Sequence, residues 1–470
     1  MATPTAHAIA LDLGTTAVKA GLLDEKGDLS DIVSLPAPEM AVNGGRYESD
    51  ALAYAQVAEQ ALDACRAGAA ALPLGLCSQR SSFLLWSRAN GQPVSPLISW
   101  QDNRGTASCE ALRQEEGAIR ELTGLRLTPY YVGPKLCVVL AEHPQLRSGL
   151  ERGELLVGTL DTFLVWRWTG GRHFVTDASM AARTLLMDIR EQAWSPLLCD
   201  LFGIPLSVLP RIMPSVGMEL QLDNGLVLRA SMGDQSAALM ASVGGNRSGA
   251  PVVSDVLVNL GTGGFAMRYV GEGEDVQAGY LRTLVYQDRR LHGHVAIEGT
   301  LNSLAAALAP YPVGQCGSAD LARDDIFCLA EPSGLGAPYF RNDLGVRFST
   351  PVERLPARRV GCLLLEGIIF RVARMLEDFH HASPIGRVLL SGGLSELTAM
   401  QQGVAQCAPC DAYRLEQKDS SLHGAALAAA GMETEHRGGS GKIQLERIDH
   451  AVAEKYHRWK LWFDDLLSRG

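Results

Sequence analysis

The sequence has 470 residues, of which 47% are hydrophobic and 20% are charged. This length and composition favour a globular protein of two large domains over a disordered chain. The formal net charge is -10 and no basic run occurs, which argues against nucleic acid as a partner. The first residues lack a charged segment followed by an apolar one, and no apolar run reaches the roughly 18 residues of a membrane helix, so we expect neither a secretory signal nor a membrane partner.

In chain order, the first half of the sequence is predicted to alternate strands and helices. Strands are predicted over 7–13 and 18–23, with the turn Gly14-Thr15-Thr16 between them, and apolar periodicity predicts a helix over 50–67. The other elements predicted in this half are strands over 72–77, 82–86 and 230–232 and helices over 106–115 and 134–142.

The second half of the sequence repeats this pattern. The apolar segment 253–260 ends in Gly261-Thr262-Gly263-Gly264, much as the first strand ends in Gly14-Thr15-Thr16. This internal similarity predicts two related α/β domains, each opening with a strand and a Gly/Thr turn. The elements predicted after it are helices over 360–379, 421–430 and 448–467, a strand over 387–390 and a loop over 433–442.

The first strand carries a carboxylate, Asp12, immediately before its turn. Glycine lets a backbone come close to a phosphate, and the hydroxyl and N–H groups of Gly14, Thr15 and Thr16 can bind its oxygens. Asp12 can hold the Mg²⁺ ion that neutralises phosphate charge, directly or through water. On these residues alone, an ordinary β-turn with an aspartate nearby is an equal alternative.

Two later glycine turns are further candidates for binding a nucleotide. Gly261, Thr262 and Gly263 follow a strand, as the first turn does, and form a second candidate phosphate loop. Gly392 and Gly393, after the strand predicted over 387–390, could let a flat adenine ring lie against the backbone. Each turn by itself is also compatible with a plain loop.

Further strings occur in order along the chain and together indicate a family. They are Ser78-Gln79-Arg80-Ser81, Ile98 to Arg104, Pro129 to Lys135, Gly158 to Thr162, Thr176 to Thr184, Met232-Gly233-Asp234-Gln235 and Gly334 to Tyr339. With the Gly/Thr turns, they resemble the FGGY family of carbohydrate kinases over nearly the whole length, and within that family they resemble glycerol kinases most.

The resemblance implies an α/β fold of two ribonuclease-H-like domains, as in actin-like ATPases, facing each other across a cleft. The expected limits are 1–237 for an N-terminal domain with the acceptor site, 238–432 for a C-terminal domain with the nucleotide site, and 433–470 for a loop and a final helix. The implied activity is transfer of phosphate from ATP, with Mg²⁺, to a hydroxyl group of a small sugar or polyol in the cytoplasm. A homo-oligomer is compatible with it.

The resemblance also assigns roles to individual residues. Asp234 is implied as the general base that takes the proton of the attacking hydroxyl and, with Asp12, as a metal ligand. The residues implied around the acceptor are Arg80, Ser81, Trp100, Tyr130, Gln235 and Phe265. Polar side chains there would bind hydroxyl groups, and flat rings would cover carbon–hydrogen edges. Without the resemblance, Asp234 is equally compatible with a surface turn. The less favoured alternatives for the other residues are core packing for the aromatic side chains and a surface position for Arg80.

Several positions depart from the glycerol kinase pattern. Ser81 stands where those kinases usually carry Glu, so the pocket has a short neutral hydroxyl in place of a strong acceptor. Met180 and Ala182 replace Asn and Ser, Val138 replaces Trp, and Leu397 replaces an adenine-contacting Asn. The loss of this acceptor at position 81 should weaken glycerol binding or make room for a larger substrate. Since the catalytic and phosphate residues are retained, we expect a working kinase, and the sequence leaves its substrate open.

Other sequence features are expected to carry no chemistry. The string Gly438-Gly439-Ser440-Gly441-Lys442 lacks the spacing of a P-loop, because His436 stands where its first glycine is needed. The ten cysteines are irregularly spaced, which indicates reduced thiols, and the single Cys407-x-x-Cys410 pair has no metal-binding partner nearby.

Two other functions remain open on the sequence. The chain could be an actin-like ATPase with another role, but Arg80, Trp100, Tyr130 and Gln235 argue for an acceptor pocket. It could also be a non-catalytic sugar-binding relative of a kinase, which the retained carboxylates argue against.

Overall fold

The computed structural model describes residues 6–66, 71–243, 254–271, 278–416, 419–432, 440–446 and 450–469. They fall into two compact units. The first comprises the described residues of Met1–Gly245, Arg282–Val295 and Asp419–Arg437, and the second those of Asn246–Leu281, Ala296–Lys418 and Gly438–Gly470. Because these units interleave along the chain, they do not test the domain limits at 237 and 432, which stay predictions.

The strands are, in chain order, β1 Ala6–Leu13, β2 Ala17–Asp24, β3 Leu29–Pro36, β4 Ala41–Asn43, β5 Arg46–Ser49, β6 Pro73–Ser78, β7 Phe83–Ser87, β8 Leu97–Ile98, β9 Leu155–Thr159, β10 Val175–Asp177, β11 Met187–Asp188, β12 Ala193–Trp194, β13 Arg211–Met213, β14 Val216–Gln221, β15 Val227–Gly233, β16 Ser254–Leu260, β17 Gly264–Tyr269, β18 Leu281–Gln287, β19 Gly293–Leu301, β20 Cys328–Leu329, β21 Arg347–Phe348, β22 Ile385–Ser391, β23 Ala412–Leu415 and β24 Ser440–Lys442.

The helices are α1 Ala51–Arg66, α2 Thr106–Ala111, α3 Glu116–Thr123, α4 Val132–Glu142, α5 Pro144–Glu151, α6 Leu160–Trp168, α7 Ala178–Ala181, α8 Pro196–Leu201, α9 Asp234–Val243, α10 Leu304–Leu308, α11 Ala357–Ala382, α12 Thr398–Cys407, α13 Ser420–Ala430 and α14 Ala451–Ser468. Short 3₁₀ helices cover Arg113–Glu115, Leu206–Val208, Val313–Gln315, Ser318–Asp320 and Gly393–Glu396.

The main sheet of the first unit has the strand order β14-β15-β6-β1-β2-β3. The pairs β1–β2, β2–β3 and β14–β15 are antiparallel, whereas β6 runs parallel to both β1 and β15. A second, antiparallel sheet in this unit has the order β4-β5-β8-β7-β9.

The second unit contains the order β19-β17-β16-β22-β23-β24. Its strand β16 pairs antiparallel with β17 and parallel with β22, and β22 is parallel to β23. The strand order β19-β17-β16-β22-β23 therefore matches the order β3-β2-β1-β6-β15 of the first unit. The parallel and antiparallel pairings also match, strand by strand. This repeat confirms the prediction of two related α/β domains.

Strand β1 is buried on both faces, and its side chains pack alternately against two different helices. Ile9, Leu11 and Leu13 pack with the buried face of α1, while Ala8 and Ala10 pack with α13. Because side chains alternate along a strand, Asp12 lies on the same face as the two alanines and so points toward α13.

Helix α13 comes unusually close to the sheet and to α9. A Cβ atom on Gly75 of β6 would stand 2.0 Å from the carbonyl oxygen of Ala425 in α13. A Cβ atom on Gly424 would stand 1.9 Å from the carbonyl oxygen of Ala237 in α9. Both distances are far below van der Waals contact, so only glycine fits at these two positions.

Most predicted elements are confirmed to within a few residues, including β1, β2, α1, α4, α11, β22 and α13. The helix predicted over 106–115 is wrong in its second half, because Leu112 leaves helical geometry with φ -100° and ψ 13° and a 3₁₀ turn follows. The loop predicted over 433–442 is wrong at 440–442, which pair with β23 as an edge strand; residues 433–439 lie outside the described part. The last helix begins at Ala451, and residue 448 lies outside the described part.

The expectation of reduced cysteines is wrong for one pair. The structure joins Cys316 and Cys362 of the second unit in a disulfide, with Cα atoms 5.9 Å apart. Irregular spacing could not reveal this pair, because α11 carries Cys362 and the tertiary fold brings Cys316 to it. The other eight cysteines are free, including Cys407 and Cys410.

Among the helices that the structure describes, none combines the length and apolar character needed to cross a membrane.

We predict that Gly424→Ala lowers the free energy of unfolding by about 1–3 kcal/mol, because the added methyl group pushes α13 away from α9. Urea unfolding followed by circular dichroism measures the loss. The control is Gly117→Ala in α3, where a Cβ atom meets open space; there alanine should be neutral or stabilising by up to about 1 kcal/mol. Equal stability of Gly424→Ala and wild type would contradict the close contact.

Candidate active site

Three neighbouring parallel strands of the first unit end at the same edge of the sheet. Asp12 of β1 is in register with Cys77 of β6, and Cys77 is in register with Met232 of β15. The segments that leave this edge carry Gly14, Arg80 and Asp234. Loops at the carboxyl ends of parallel strands are the usual place of ligand sites in α/β proteins, and the structure brings the predicted residues of this unit to that edge.

Asp12 is held from the side of α13. Its Oδ2 atom accepts a hydrogen bond of 2.7 Å from the hydroxyl group of Ser421, and among the described residues its buried Oδ1 atom has no hydrogen-bond partner. Burial raises the pKa of Asp12 to about 6; the bond from Ser421 opposes this rise, and the negative charge of Asp234 adds to it. The two carboxylates are therefore close enough to sense each other's charge.

Asp234 is the first residue of α9, directly after β15, and it stands beside a buried cation. Its Oδ1 atom lies 3.7 Å from Nε of Arg80, whose side chain is 2% exposed, and accepts a bond of 2.7 Å from the Gln235 N–H group. Arg80 Nη2 also donates to Oε1 of Gln235. A Cβ atom on Gly233 would meet Arg80 Cδ at 2.8 Å, so glycine is what allows Arg80 to pass this strand end.

Trp100 links the predicted acceptor residues to the first turn. Its indole N–H donates to the Thr15 hydroxyl at 3.0 Å, and its ring centroid lies 5.5 Å from that of Tyr130. Gly14 closes the turn through its N–H bond to the carbonyl group of Ala17 at 3.1 Å. Trp100 and Tyr130 are partly exposed, so their rings are accessible to the carbon–hydrogen edges of a ligand.

Two predicted residues of this unit are placed differently from the rest. Thr16 is exposed, and its carbonyl group accepts from the Ala37 N–H group at 3.0 Å. Ser81 is fully buried, and its hydroxyl donates to the carbonyl group of Arg183 at 2.7 Å. The hydroxyl hydrogen of Ser81 is therefore already used, and a direct contact between Ser81 and an acceptor stays a prediction.

In the second unit, the two predicted glycine turns lie next to each other. Gly261 and Gly263 close the turn between β16 and β17 with a bond of 2.8 Å. Gly392 has φ 84°, and a Cβ atom on it would stand 2.5 Å from the carbonyl oxygen of Leu260, so this glycine lies against the start of that turn. Thr262 and Gly393 are exposed, with open space around Gly393.

Phe265, predicted at the acceptor, also belongs to the second unit. It lies in β17, where it pairs with Asn259 and Thr300, and it is 8% exposed. Its contact with an acceptor stays a prediction.

The strand end that carries Asp234 is supported from behind by buried polar groups. The Gly233 N–H group donates to the Ser179 hydroxyl at 2.9 Å. Ser179 lies in α7, whose first N–H groups are capped by Asp177; the same carboxyl also accepts from Ser215 at 2.6 Å. Burial raises the pKa of Asp177 to about 7, and nearby Asp161 adds to the rise.

The arrangement around Asp12 fits a divalent cation. Magnesium prefers carboxylate oxygens and bound water, and a buried carboxylate atom with no protein hydrogen bond is a suitable ligand. Ser421 fixes the other oxygen, so Oδ1 keeps one direction. The described residues contain no cluster of three or more His, Cys, Asp or Glu side chains that would hold a metal alone, and any ion here would take further ligands from water or phosphate.

Sequence reasoning missed Ser421 and Ser179. Both are small polar residues within helices, and neither has a local pattern that marks it. Ser179 lies in the family string Thr176 to Thr184, whereas Ser421 lies only at the start of the helix predicted over 421–430, and its contact with Asp12 spans 409 residues of sequence.

The chain matches a known protein family over most of its length. A model of the FGGY family of carbohydrate kinases, N-terminal domain, matches residues 7–230, and the model of its C-terminal domain matches residues 256–432. A glycerol kinase of Gloeobacter violaceus is 30% identical over 477 residues, which cover 96% of this chain and 93% of that protein. An apulose kinase of Pectobacterium atrosepticum is 30% identical over 495 residues, with 96% of each chain covered.

The fold is shared with solved structures. The crystal structure of Plasmodium falciparum glycerol kinase with ADP has a TM-score of 0.81 and 18% identity to this chain, with 98% of each chain covered. At this identity the likeness shows the fold alone. It confirms the predicted fold class of two actin-like ATPase domains.

We predict that burial of Asp161 makes stability depend on pH. Burial raises its pKa from 3.8 to about 6, so the folded chain holds this proton more tightly than the unfolded chain does. The wild type should therefore lose stability relative to Asp161→Asn as pH rises from 4 to 6, and the difference should level off above that range and below it. Urea unfolding of both proteins between pH 3.5 and pH 8 measures it; a difference independent of pH would refute the raised pKa.

Proposed function

The chain belongs to the FGGY family of carbohydrate kinases, which phosphorylate a hydroxyl group of a sugar or polyol with ATP, and we propose that Asp234 is the general base of this reaction. The observation that carries the proposal is the position of Asp234. It stands at the carboxyl edge of the sheet, beside the Arg80 guanidinium at 3.7 Å and within the electrostatic influence of Asp12.

The reaction needs an oriented hydroxyl group and an acceptor for its proton. In the proposed mechanism, the acceptor hydroxyl donates a hydrogen bond to Asp234 and attacks the γ-phosphorus of ATP in line. Its proton passes to the carboxylate late in the transfer, and ADP leaves. Arg80 and the Gln235 N–H group hold Asp234 in place, because both lie at its Oδ1 atom.

Bound Mg²⁺ would neutralise the charge on the transferring phosphate. We propose that Asp12 holds it, directly or through water, and that Asp234 contributes to the same ion. Ser421 orients Asp12 and favours its ionised form, since its hydroxyl donates to the carboxylate.

The nucleotide would bind through backbone groups of the glycine turns. In the first unit these are Gly14, Thr15 and Thr16. In the second unit they are the turn Gly261 to Gly263 together with Gly392 and Gly393, which form a bare backbone surface with little side-chain cover. Such surfaces suit phosphate oxygens and a flat base.

The acceptor would bind against Arg80, Trp100, Tyr130 and Gln235 of the first unit. Their donors and rings suit a neutral polyhydroxylated molecule. Family resemblance also assigns Ser81 and Phe265 to acceptor binding. We further propose that the reaction takes place in the cytoplasm, because it consumes ATP.

We predict that purified protein consumes MgATP faster when one member of a panel of polyols and ketoses is added. Asp234→Asn should lower this acceptor-dependent kcat by about 10²–10⁴-fold, the usual range for loss of a general base. A coupled assay for ADP formation measures both effects.

The matched control is Asp223→Asn, an exposed aspartate of the same unit that pairs with Arg172; its kcat should stay within about twofold of wild type. Turnover that no panel member stimulates would favour an actin-like ATPase instead. Acceptor binding without turnover would favour a non-catalytic relative.

We also predict that Ser421→Ala raises the Mg²⁺ concentration needed for half-maximal turnover. The variant removes the hydrogen bond that orients Asp12 and opposes its raised pKa. Titration of Mg²⁺ at saturating ATP and acceptor measures the change. Ser242→Ala in α9 is the control, since its hydroxyl donates to the carbonyl group of Ala238 in the same helix. Identical Mg²⁺ curves for all three proteins would count against Asp12 as the metal ligand.

A further inference from the structure

Lys135 is a buried cation that the mechanism above does not use. It lies in α4 with 0% of its surface exposed. Its Nζ atom donates to the carbonyl oxygen of Ser81 at 2.9 Å and to that of Ser99 at 2.7 Å, and it stands 5.8 Å from the ring centroid of Phe83. Among the residues that the structure describes, no carboxylate forms an ion pair with it.

The two carbonyl groups belong to loops that carry acceptor residues. Ser81 follows Arg80 in the loop after β6, and Ser99 precedes Trp100 in the loop after β8. The helix that carries Lys135 begins directly after Tyr130 and Tyr131. One nitrogen atom thus joins the three segments that present Arg80, Trp100 and Tyr130.

The loop at Ser81 is strained and needs such support. Ser81 has φ 64°, a left-handed conformation that residues with a side chain rarely adopt. A conformation of this kind persists only where the surroundings hold it. Here Lys135 donates to the carbonyl group of Ser81, and the Ser81 hydroxyl donates to the carbonyl group of Arg183. The neighbouring Ser82 hydroxyl accepts from the backbone N–H group of Trp100 at 3.0 Å.

The charge of Lys135 is costly where it lies. Burial lowers its pKa from 10.5 to about 7, and the nearby Asp102 carboxylate only partly opposes this. A methionine would fill a similar volume without the cost of desolvating an ammonium group. Packing alone therefore does not explain a lysine at this position, but its two hydrogen bonds to carbonyl groups do.

We propose that Lys135 is a positioning residue for the acceptor: it fixes the Arg80 loop and the Trp100 loop in the relative placement that the acceptor pocket requires. The inference rests on the proposed function for the identity of the pocket. It assigns Lys135 no contact with substrate; the residue acts through the carbonyl groups of Ser81 and Ser99.

The first test is the kinetics of Lys135→Met. The variant should raise the KM for the acceptor by at least about tenfold, the effect of losing one good charged hydrogen bond. Its KM for ATP should stay within about twofold, since only the acceptor loops are released. Leu62→Ala, a core truncation in α1, is the control for general destabilisation and should leave both KM values unchanged.

The second test needs no acceptor and so separates this inference from the proposed function. Hydrogen exchange of the full-length protein should be faster in Lys135→Met at the amides of Gln79, Trp100 and Asp102, and unchanged there in Leu62→Ala. Lys135→Gln, which keeps two N–H donors, replaces the methionine variant if that variant does not fold.

Two results would overturn the inference. One is wild-type exchange at all three amides in the variant. The other is faster exchange with an unchanged KM for the acceptor, which would make Lys135 a structural residue only. If no acceptor stimulates the wild type, the proposed function fails, and unchanged exchange remains the result that would overturn the role of Lys135 in the loops.

Discussion

The close contact of α13 with β6 and α9 is the constraint on which the carboxylate site depends. Gly75 and Gly424 leave no room for a side chain, so the helix backbone lies directly on the strand and on α9. The first consequence is that Ser421, in the first turn of α13, reaches Asp12. The second is that α9, which begins with Asp234, is packed against the same helix. The glycines thus set the separation of Asp12 and Asp234, because a backbone-to-backbone contact deforms less easily than a contact between side chains.

The repeated sheet order explains why each unit carries a glycine turn at the same place in its sheet. In each unit the first strand turns back antiparallel and a parallel strand follows beside it, so the first turn always lies at a carboxyl edge. Gly14 and Gly261 occupy equivalent turns in this order. The units differ in what the neighbouring parallel strand delivers. In the first it delivers the Arg80 loop, and in the second the glycine Gly392, which has no side chain.

The sequence predicted β1, its turn and Asp12 because a buried apolar run, a carboxylate and a glycine stand within a few adjacent residues. It did not predict Ser421 or the cystine of Cys316, since neither depends on local pattern. The sequence predicted the helix α13, but not which sheet the helix would cover. Lys135 was visible within a family string, yet its role follows only from carbonyl groups of two distant loops, and backbone carbonyls leave no trace in a sequence.

The structure also changes how the serine at position 81 should be understood. Comparison with glycerol kinases presents Ser81 as the loss of a carboxylate acceptor from the pocket. In the fold, however, its hydroxyl donates to the carbonyl group of Arg183. A carboxylate cannot donate there and would be repelled by that oxygen, so a glutamate at 81 would have to direct its side chain elsewhere. The exchange therefore alters the hydrogen bonds of the loop. Because Lys135 holds the carbonyl group of the same residue, the geometry of the Arg80 loop depends on both the backbone and the side chain of this one position.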